Sequence, residues 1–314
     1  MSETVDPSPV IRAITPQQLR DLCVKRNGPA AFRILVQYAS ILSNGALLCW
    51  IGSAYSWLWA APLILLQAYM VGFQFMVVHE TAHRTAFRTR PANAVVGQIS
   101  GLMIMLPYEY YTEFHWDHHR YTQDEENDPE LLFKTVPRTW LARLQTFTGV
   151  SQLFKRFMLA FRHAVTGRVT ARWIPEAKRP LVVKEARLYM LAYLLLFASS
   201  VATQSAALFW AWLLPLAIGQ MMLRPYLLSE HTGCATTRSA FENTRTTYTN
   251  AAMHWFAWNM PYHAEHHAYP SVPFHALPKL NTLVDDRIVH KGHGYRNAVR
   301  EVWSHLSDRA AALR

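Results

Sequence analysis

The stretch WLWAAPLILLQAYMVGFQFMVVHETAH, Trp57 to His83, governs how the rest of the chain is read. Its first twenty-two residues, Trp57 to Val78, carry no charge. An α-helix needs about twenty residues, at ~1.5 Å each, to cross ~30 Å of hydrocarbon. Its last five place two imidazoles at i and i+4, on one face of the helix where the apolar run ends. A second apolar run, Ala31 to Ile51, lies just upstream, tolerating Arg33, Gln37 and Asn44. Gly52 to Ser56 between them suffices for a turn and nothing more, so the two runs predict a transmembrane hairpin.

Working outward, Thr15 and Pro16 have the form of an N-cap and first-turn pair opening a short surface helix, Gln17 to Arg26. Val95 to Pro107 is apolar but only about thirteen residues, which predicts a re-entrant or interfacial helix rather than a span. Leu141 to His163 mixes apolar residues with Arg143, Lys155, Arg156 and Arg162, the pattern of an amphipathic helix in the headgroup region. A second hairpin is expected from about Ala186 to Thr203 and Ala206 to Leu228, with Pro215 as a kink. The fold class that follows is an all-α integral membrane protein: about four transmembrane helices in two hairpins, a re-entrant or interfacial helix, and a cytoplasmic helical cap holding the functional residues. The expected organisation is an N-terminal cytoplasmic segment, 1–30, and one membrane domain, 31–314, whose cap comprises 79–185 and 229–314.

Composition agrees with this segregation. The chain has 314 residues, 51% hydrophobic, with 11 Trp and 14 Tyr, yet its mean hydropathy is near zero. Long apolar runs with a half-polar average imply separation along the chain. The formal charge of +10 sits where topology needs it: a dozen Lys or Arg fall between Phe133 and Arg187, Arg12, Arg20, Lys25 and Arg26 precede the first run, and neither expected external turn has any. The positive-inside rule then puts the termini and the large loop in the cytoplasm. Topology and anionic headgroups account for the charge without nucleic acid, for which the basic residues offer no separate soluble domain. Three cysteines, Cys23, Cys49 and Cys234, suggest neither a disulfide framework nor a thiolate zinc site. The polar first thirty residues show no cleavable signal peptide, and the absence of an ER-retrieval signal leans toward a bacterial inner membrane.

Of fifteen histidines, eight fall into three clusters: His79 and His83 in HETAH; His115, His118 and His119 in HWDHH; His263, His266 and His267 in HAEHH. Imidazoles at i, i+3 and i+4 share a helix face, and adjacent ones diverge by about 100°, so one helix can serve two neighbouring ions. All three clusters reach the cytoplasmic side of the expected topology, as does His231 in SEHTG, a candidate ninth ligand. His163, His254, His275, His290, His293 and His305 stand alone and are read as ordinary polar residues. Nine ligands exceed the four of a zinc site and predict a multinuclear centre, although imidazole suits iron, zinc, copper and nickel alike. HETAH also fits the H-E-x-x-H zinc peptidase signature, but that site needs one further ligand and leaves two HxxHH clusters unused. A membrane metal carrier is disfavoured by ligands crowded on one side of spans that lack polar residues.

HxxxH, HxxHH and HxxHH in this order and on this topology resemble the membrane fatty acid desaturase superfamily. The resemblance runs from about Val77 to Leu280. NTRTT at Asn243–Thr247 and NMPYHAEHHAYPSVPFHALPKL at Asn259–Leu280 look like its acyl-lipid branch. It implies that His79, His83, His115, His118, His119, His263, His266 and His267 bind two iron ions, with His231 at the position of the family's extra histidine. It further implies an O2-dependent desaturase removing two hydrogens from adjacent carbons of an acyl chain. The sequence departs from related acyl-CoA desaturases at Leu227, where those carry an asparagine that holds a metal through water, and Asn259 is a candidate replacement. No cytochrome b5-like module is recognisable, so electrons are expected from a separate carrier, a ferredoxin or a cytochrome b5 with its reductase.

Glu80, Asp117 and Glu265 lie within the boxes as candidates for fixing imidazole tautomers. An acyl or lipid substrate is expected to arrive from the bilayer. Tyr108, Tyr110, Tyr111, Trp116 and Trp258 either line its path or form an interfacial belt. Hydroxylation by the same centre, or desaturation of a small non-lipid molecule, are the alternatives, since desaturation and hydroxylation share the first hydrogen abstraction.

Overall fold

The computed structural model describes residues 14–131 and 137–312. The first thirteen residues of the expected 1–30 segment, and 132–136 of the expected cap, lie outside the described residues. Thr15 caps α1 (Pro16–Leu22) through a capping box: its hydroxyl accepts from the Gln18 amide and Gln18 Oε1 accepts from the Thr15 amide. The helix stops four residues short of the expected Arg26. α2 (Asn27–Ala54) and α3 (Trp57–Gly72) form the first hairpin, Ser56 capping the return, and α4 (Gln74–Ala82) continues α3 after a slight break at Phe73. Two helical segments, Pro16–Ala54 and Trp57–Ala82, are long and apolar enough to cross a membrane.

The polar residues interrupting these runs staple helices together. Asn44 Nδ2 donates to Gln67 Oε1 (2.9 Å), and Gln67 Nε2 donates to the carbonyls of Ile41 and Ala211. Meanwhile Phe32, Leu35, Leu42, Leu58 and Trp59 stay exposed on the outer face. An apolar exterior over a polar interhelical contact is the arrangement that a hydrocarbon solvent favours.

α5 (Arg90–Met103) is a short helix, and α6 (Tyr108–Tyr121) carries the second box. The expected amphipathic helix Leu141–His163 is two helices, α7 (Trp140–Thr148) and α8 (Val150–Thr166). They part at Gly149, whose φ of +64° a glycine adopts without strain.

α9 (Arg179–Ala202) and α10 (Leu214–His231), the latter entered through a π-helical turn at Phe209–Leu213, cover the expected second pair. Neither is among the two segments that meet the length and apolarity of a span. α9 begins with Arg179, Lys184, Glu185 and Arg187, and α10 contains Arg224 and Glu230. α10 packs chiefly on α3, and α9 on α8. The α3–α10 crossing is close because both helices present glycine: a Cβ on Gly219 would lie 2.2 Å from the Ala68 carbonyl oxygen, and one on Gly72 2.7 Å from that of Gly219.

Beyond α10 come α11 (Ala240–Asn243), α12 (Ala251–Phe256), α13 (His263–Ala268), α14 (Leu277–Val284) and α15 (Tyr295–Ala312). The expectation of an all-α chain is corrected here. Arg245–Tyr248 (β1), most of the NTRTT stretch, pairs in parallel with His290–His293 (β2), Arg245 opposite His290 and Tyr248 opposite His293. Thr246, Thr247 and Tyr248, β-branched and aromatic, suit this extended and largely buried strand. The pair clamps the segment leading to α13 against the C-terminal region.

Candidate metal centre

Four elements deliver the clustered histidines to one place. α4 brings His79 and ends on His83; α6 brings His115, His118 and His119; α10 ends on His231; α13 brings His263, His266 and His267. The α6 N-terminus is anchored from α9, where the Glu185 carboxylate accepts the Glu109 amide at 2.8 and 3.0 Å. All nine imidazoles are buried except the half-buried His119.

They form two groups. In the first, one ring nitrogen from each of His79, His83, His115, His119 and His266 lies within 4.8 Å of the others. Nε2 atoms meet at 2.7 Å (His83–His115), 3.1 Å (His115–His119) and 3.1 Å (His83–His266). In the second, His118, His231 and His267 converge in the same way, and His263 Nε2 adds a fourth member 3.2 Å from His231 Nε2.

Whether these are hydrogen bonds between imidazoles or ligands awaiting a cation is decided on the far side of each ring. His118 Nδ1 faces the Asp128 carboxylate at 2.9 Å. His231 Nδ1 faces the Asn243 carbonyl at 3.3 Å. His267 Nδ1 faces the Thr122 hydroxyl at 3.2 Å, whose own proton goes to the His118 carbonyl. Each partner accepts, so each Nδ1 carries a hydrogen and each ring turns its Nε2 inward. The 3.3 Å approach of His118 Nε2 to His231 Nε2 therefore sets two nitrogens face to face at a point that a cation between them would satisfy.

The first group makes the same point differently. His83 Nε2 meets two other nitrogens and cannot donate to both, while both ring nitrogens of His79 are buried without a hydrogen-bond partner among the described residues. Burial, with the neighbouring histidines adding to it, holds the imidazoles of His83, His115, His119, His263, His266 and His267 well below their ordinary pKa. Neutral nitrogen donors in two adjacent sets fit two metal ions. None of His163, His254, His275, His290, His293 or His305 belongs to either set.

The three acids expected to orient imidazoles are bonded elsewhere. Glu80 Oε1 accepts the Thr85 hydroxyl (2.6 Å) and the Phe274 amide (3.1 Å), tying the first box to the loop after the third. Glu265, which burial raises to about 7, accepts from the Thr246 hydroxyl and from Asn281 Nδ2 at 2.5 Å. Asp117 pairs with Arg120. The carboxylates that do face ligand rings are Asp128 and Glu230, whose Oε1 lies 3.4 Å from His263 Nδ1. Asp128 stands ten residues after its partner, in the acidic run DEENDPE, where composition alone suggests a solvated loop. Glu230 adjoins His231 in sequence but serves a histidine on another helix. Asn259 gives its amide to the Phe274 carbonyl (3.0 Å), and Leu227 is half-buried in the core.

Of the named aromatics, Tyr111 stacks on His115 with centroids 5.2 Å apart. The Tyr108 hydroxyl donates to the Thr81 carbonyl, and Trp258 Nε1 to Gln37. Tyr110 packs on Trp173. Trp116 remains 37% exposed.

The sequence model of the fatty acid desaturase family matches residues 55–298, which include all nine histidines. A putative sphingolipid delta(4)-desaturase/C4-monooxygenase of Caenorhabditis elegans is 24% identical over 76% of this chain and 62% of its own length. The sphingolipid delta(4)-desaturase DES1 of Drosophila melanogaster is 28% identical over 74% and 68%. The sphingolipid delta(4)-desaturase/C4-monooxygenase DES2 of Rattus norvegicus is 25% identical over 78% and 72%. Relatives and histidine sets together indicate an oxidoreductase of lipid metabolism, with apolar helices compatible with a membrane and histidine groups compatible with iron. The chain belongs to the fatty acid desaturase family.

Proposed function

We propose that this chain is an O2-dependent, di-iron lipid desaturase. One iron would be held by His79, His83, His115, His119 and His266, the other by His118, His231, His263 and His267. The observation that carries the reading is the convergence of nine imidazoles as two adjacent sets, with Nε2 atoms facing one another. Two irons, when bound there, would supply the activation of O2 needed to remove hydrogen from an unactivated carbon.

The protein's own part is positional. Asp128, Asn243 and Thr122 fix tautomers and ring planes, and burial keeps bulk water from the oxidant. Glu80 and Glu265 hold the first and third boxes to their neighbours. The substrate class proposed is a long-chain lipid of the sphingolipid kind, reached from a bilayer that the helices at 31–51 and 57–78 cross, with 186–203 and 206–228 as the second pair and the histidines on the cytoplasmic side. Electrons come from a separate ferredoxin or cytochrome b5 system. The three relatives named above are eukaryotic and give the expected bacterial inner membrane no support.

Hydroxylation is the second reading, favoured by the name C4-monooxygenase borne by two of those relatives. Expression beside a His263→Ala variant in a host with a compatible electron donor, followed by mass spectrometry of its lipids, tests both. Loss of two hydrogens marks desaturation and gain of one oxygen marks hydroxylation. An unchanged lipid profile from protein loaded with two irons refutes both for the host's lipids.

A further inference from the structure

Among the described residues, three aromatic side chains other than histidine touch the rings of the two sets, and two of them, Phe75 and Tyr111, are buried. The third, Trp116, is 37% exposed. Its ring meets His83 edge-on with centroids 5.0 Å apart and lies 6.5 Å from His119. Its indole N–H donates to the Ala82 carbonyl at 3.2 Å, fixing the ring between solvent and the first histidine set. Nothing in the proposed chemistry uses it.

The surface around it is cationic. Arg120 follows one turn later on α6 and is exposed. Lys25 Nζ donates to the carbonyl of Arg84, the residue after His83, at 2.7 Å. The Arg88 amide is held by the Asn27 side chain, which brings exposed Arg26 and Arg88 to the same region. Asp117, paired with Arg120 at 3.1 Å, is the acid directly beside Trp116.

We propose that this face, Trp116 framed by Lys25, Arg26, Arg84, Arg88 and Arg120, docks a small one-electron carrier protein with an acidic surface, and that the indole couples the carrier's redox group to the metal bound by His83 and His119. The inference rests on the di-iron reading. In each encounter the reduced carrier loses one electron and the metal gains one; the indole is a path and is itself neither oxidised nor reduced. Two encounters supply two electrons which, with two electrons and two protons from the C–H bonds and two protons from water, reduce O2 to two water molecules. Opposite charge speeds the encounter and orients it, and a conjugated ring in contact with a ligand shortens the gap over which the electron must tunnel. Such carriers use small, salt-sensitive interfaces.

The test uses the full chain in nanodiscs, with the haem domain of a cytochrome b5 and a plant-type [2Fe–2S] ferredoxin as probes. Two quantities are read: the Kd of each oxidised carrier for the iron-free protein against salt, and the anaerobic oxidation of each reduced carrier by iron-loaded protein, followed at the carrier's own absorbance. At least one carrier should bind the wild type with a salt-weakened Kd. The K25E/R120E double variant should raise that Kd about tenfold, while R168E, in the loop after α8, should not. Trp116→Leu should leave Kd within about twofold and slow carrier oxidation about tenfold at unchanged iron content. If that variant loses iron, the charge variants decide the matter.

The inference falls if neither carrier binds the wild type, if K25E/R120E binds like the wild type, or if iron-loaded Trp116→Leu oxidises the carrier at the wild-type rate. A wild type that binds two irons and a carrier yet accepts no electrons and forms no product overturns the oxygenase reading, a distinguishable result.

Discussion

Asp128 gives the sharpest test of how the centre is held. Its Oδ1 lies 2.9 Å from His118 Nδ1, and both side chains are 3% exposed, so neither water nor salt weakens the pair. The carboxylate does two things to His118: it keeps the hydrogen on Nδ1, and its charge enriches the Nε2 lone pair that a metal would use. Asp128→Asn keeps the volume and removes the charge. A charge-assisted bond is worth roughly 1.5–3 kcal/mol, and loss of an outer-shell partner commonly costs about 10–100-fold in metal affinity. Burial argues for the upper half of that range.

Asp128 also accepts the Gln123 and Glu130 amides, so a control must loosen the same turn without touching the ring. Asp124→Asn does this, since among the described residues the Asp124 carboxylate accepts only from Glu126 and Asn127. Iron affinity by chelator competition should fall about 30-fold or more in Asp128→Asn and change less than about threefold in Asp124→Asn. Equal losses in the two variants would show that the turn, not the imidazole, carries the effect, and an unchanged affinity in Asp128→Asn would refute the tautomer argument.

Four further outcomes are expected. His231→Ala should lower bound iron from about two toward one per chain by elemental analysis, while His290→Ala should retain both. Gly219→Ala should lower the thermal midpoint by several degrees, because its Cβ would meet the Ala68 carbonyl at 2.2 Å and overpacking costs about 1–3 kcal/mol; Gly28→Ala, with nothing within 4 Å, should not. For the metal-free protein, six imidazoles have folded pKa values below their ordinary 6.5, so the stability they contribute is complete above 6.5 and lost as pH falls. Glu265, raised to about 7, and Glu185, raised to about 8, run the other way, losing their contribution as pH rises toward those values, but the imidazoles outnumber such carboxyls. The midpoint should therefore drop between pH 7.5 and 5.5, and a flat or rising profile contradicts the burial argument. Glu185→Ala, which frees the Glu109 amide at the start of α6, should destabilise the protein by about 1–2 kcal/mol in denaturant titration.

What the sequence made legible was whatever has a local signature. The three boxes declare themselves by spacing, and the first hairpin by a charge-free run, because imidazole faces and helix length are set by residues a few positions apart. The rest depended on contacts between distant segments. Asp128 reaches His118 only because the chain after α6 turns back, and Glu230 reaches a ring on α13, so neither could be told from a surface acid. Conversely Glu80 and Glu265, inside the boxes, brace backbone and strand instead of rings, a choice made by where Phe274 and Asn281 lie in space. The strand Arg245–Tyr248 escaped notice because four residues carry too little periodicity to show, and its partner at His290–His293 is polar. Gly149 divides what amphipathic spacing reads as one helix, since the spacing survives across a left-handed residue.

The facing ring nitrogens also make the centre a cross-link. His83 and His266 are 183 positions apart yet share one set of ligands, and closing a flexible loop of that length costs about 4–5 kcal/mol of chain entropy. A cation gripped by both does chemically what a disulfide does in a secreted domain, but it can be withdrawn. On the di-iron reading, its removal would take away a tie at the point where α4, α6, α10 and α13 meet. Acquiring metal would then, on that reading, be a step of folding as well as a condition for catalysis.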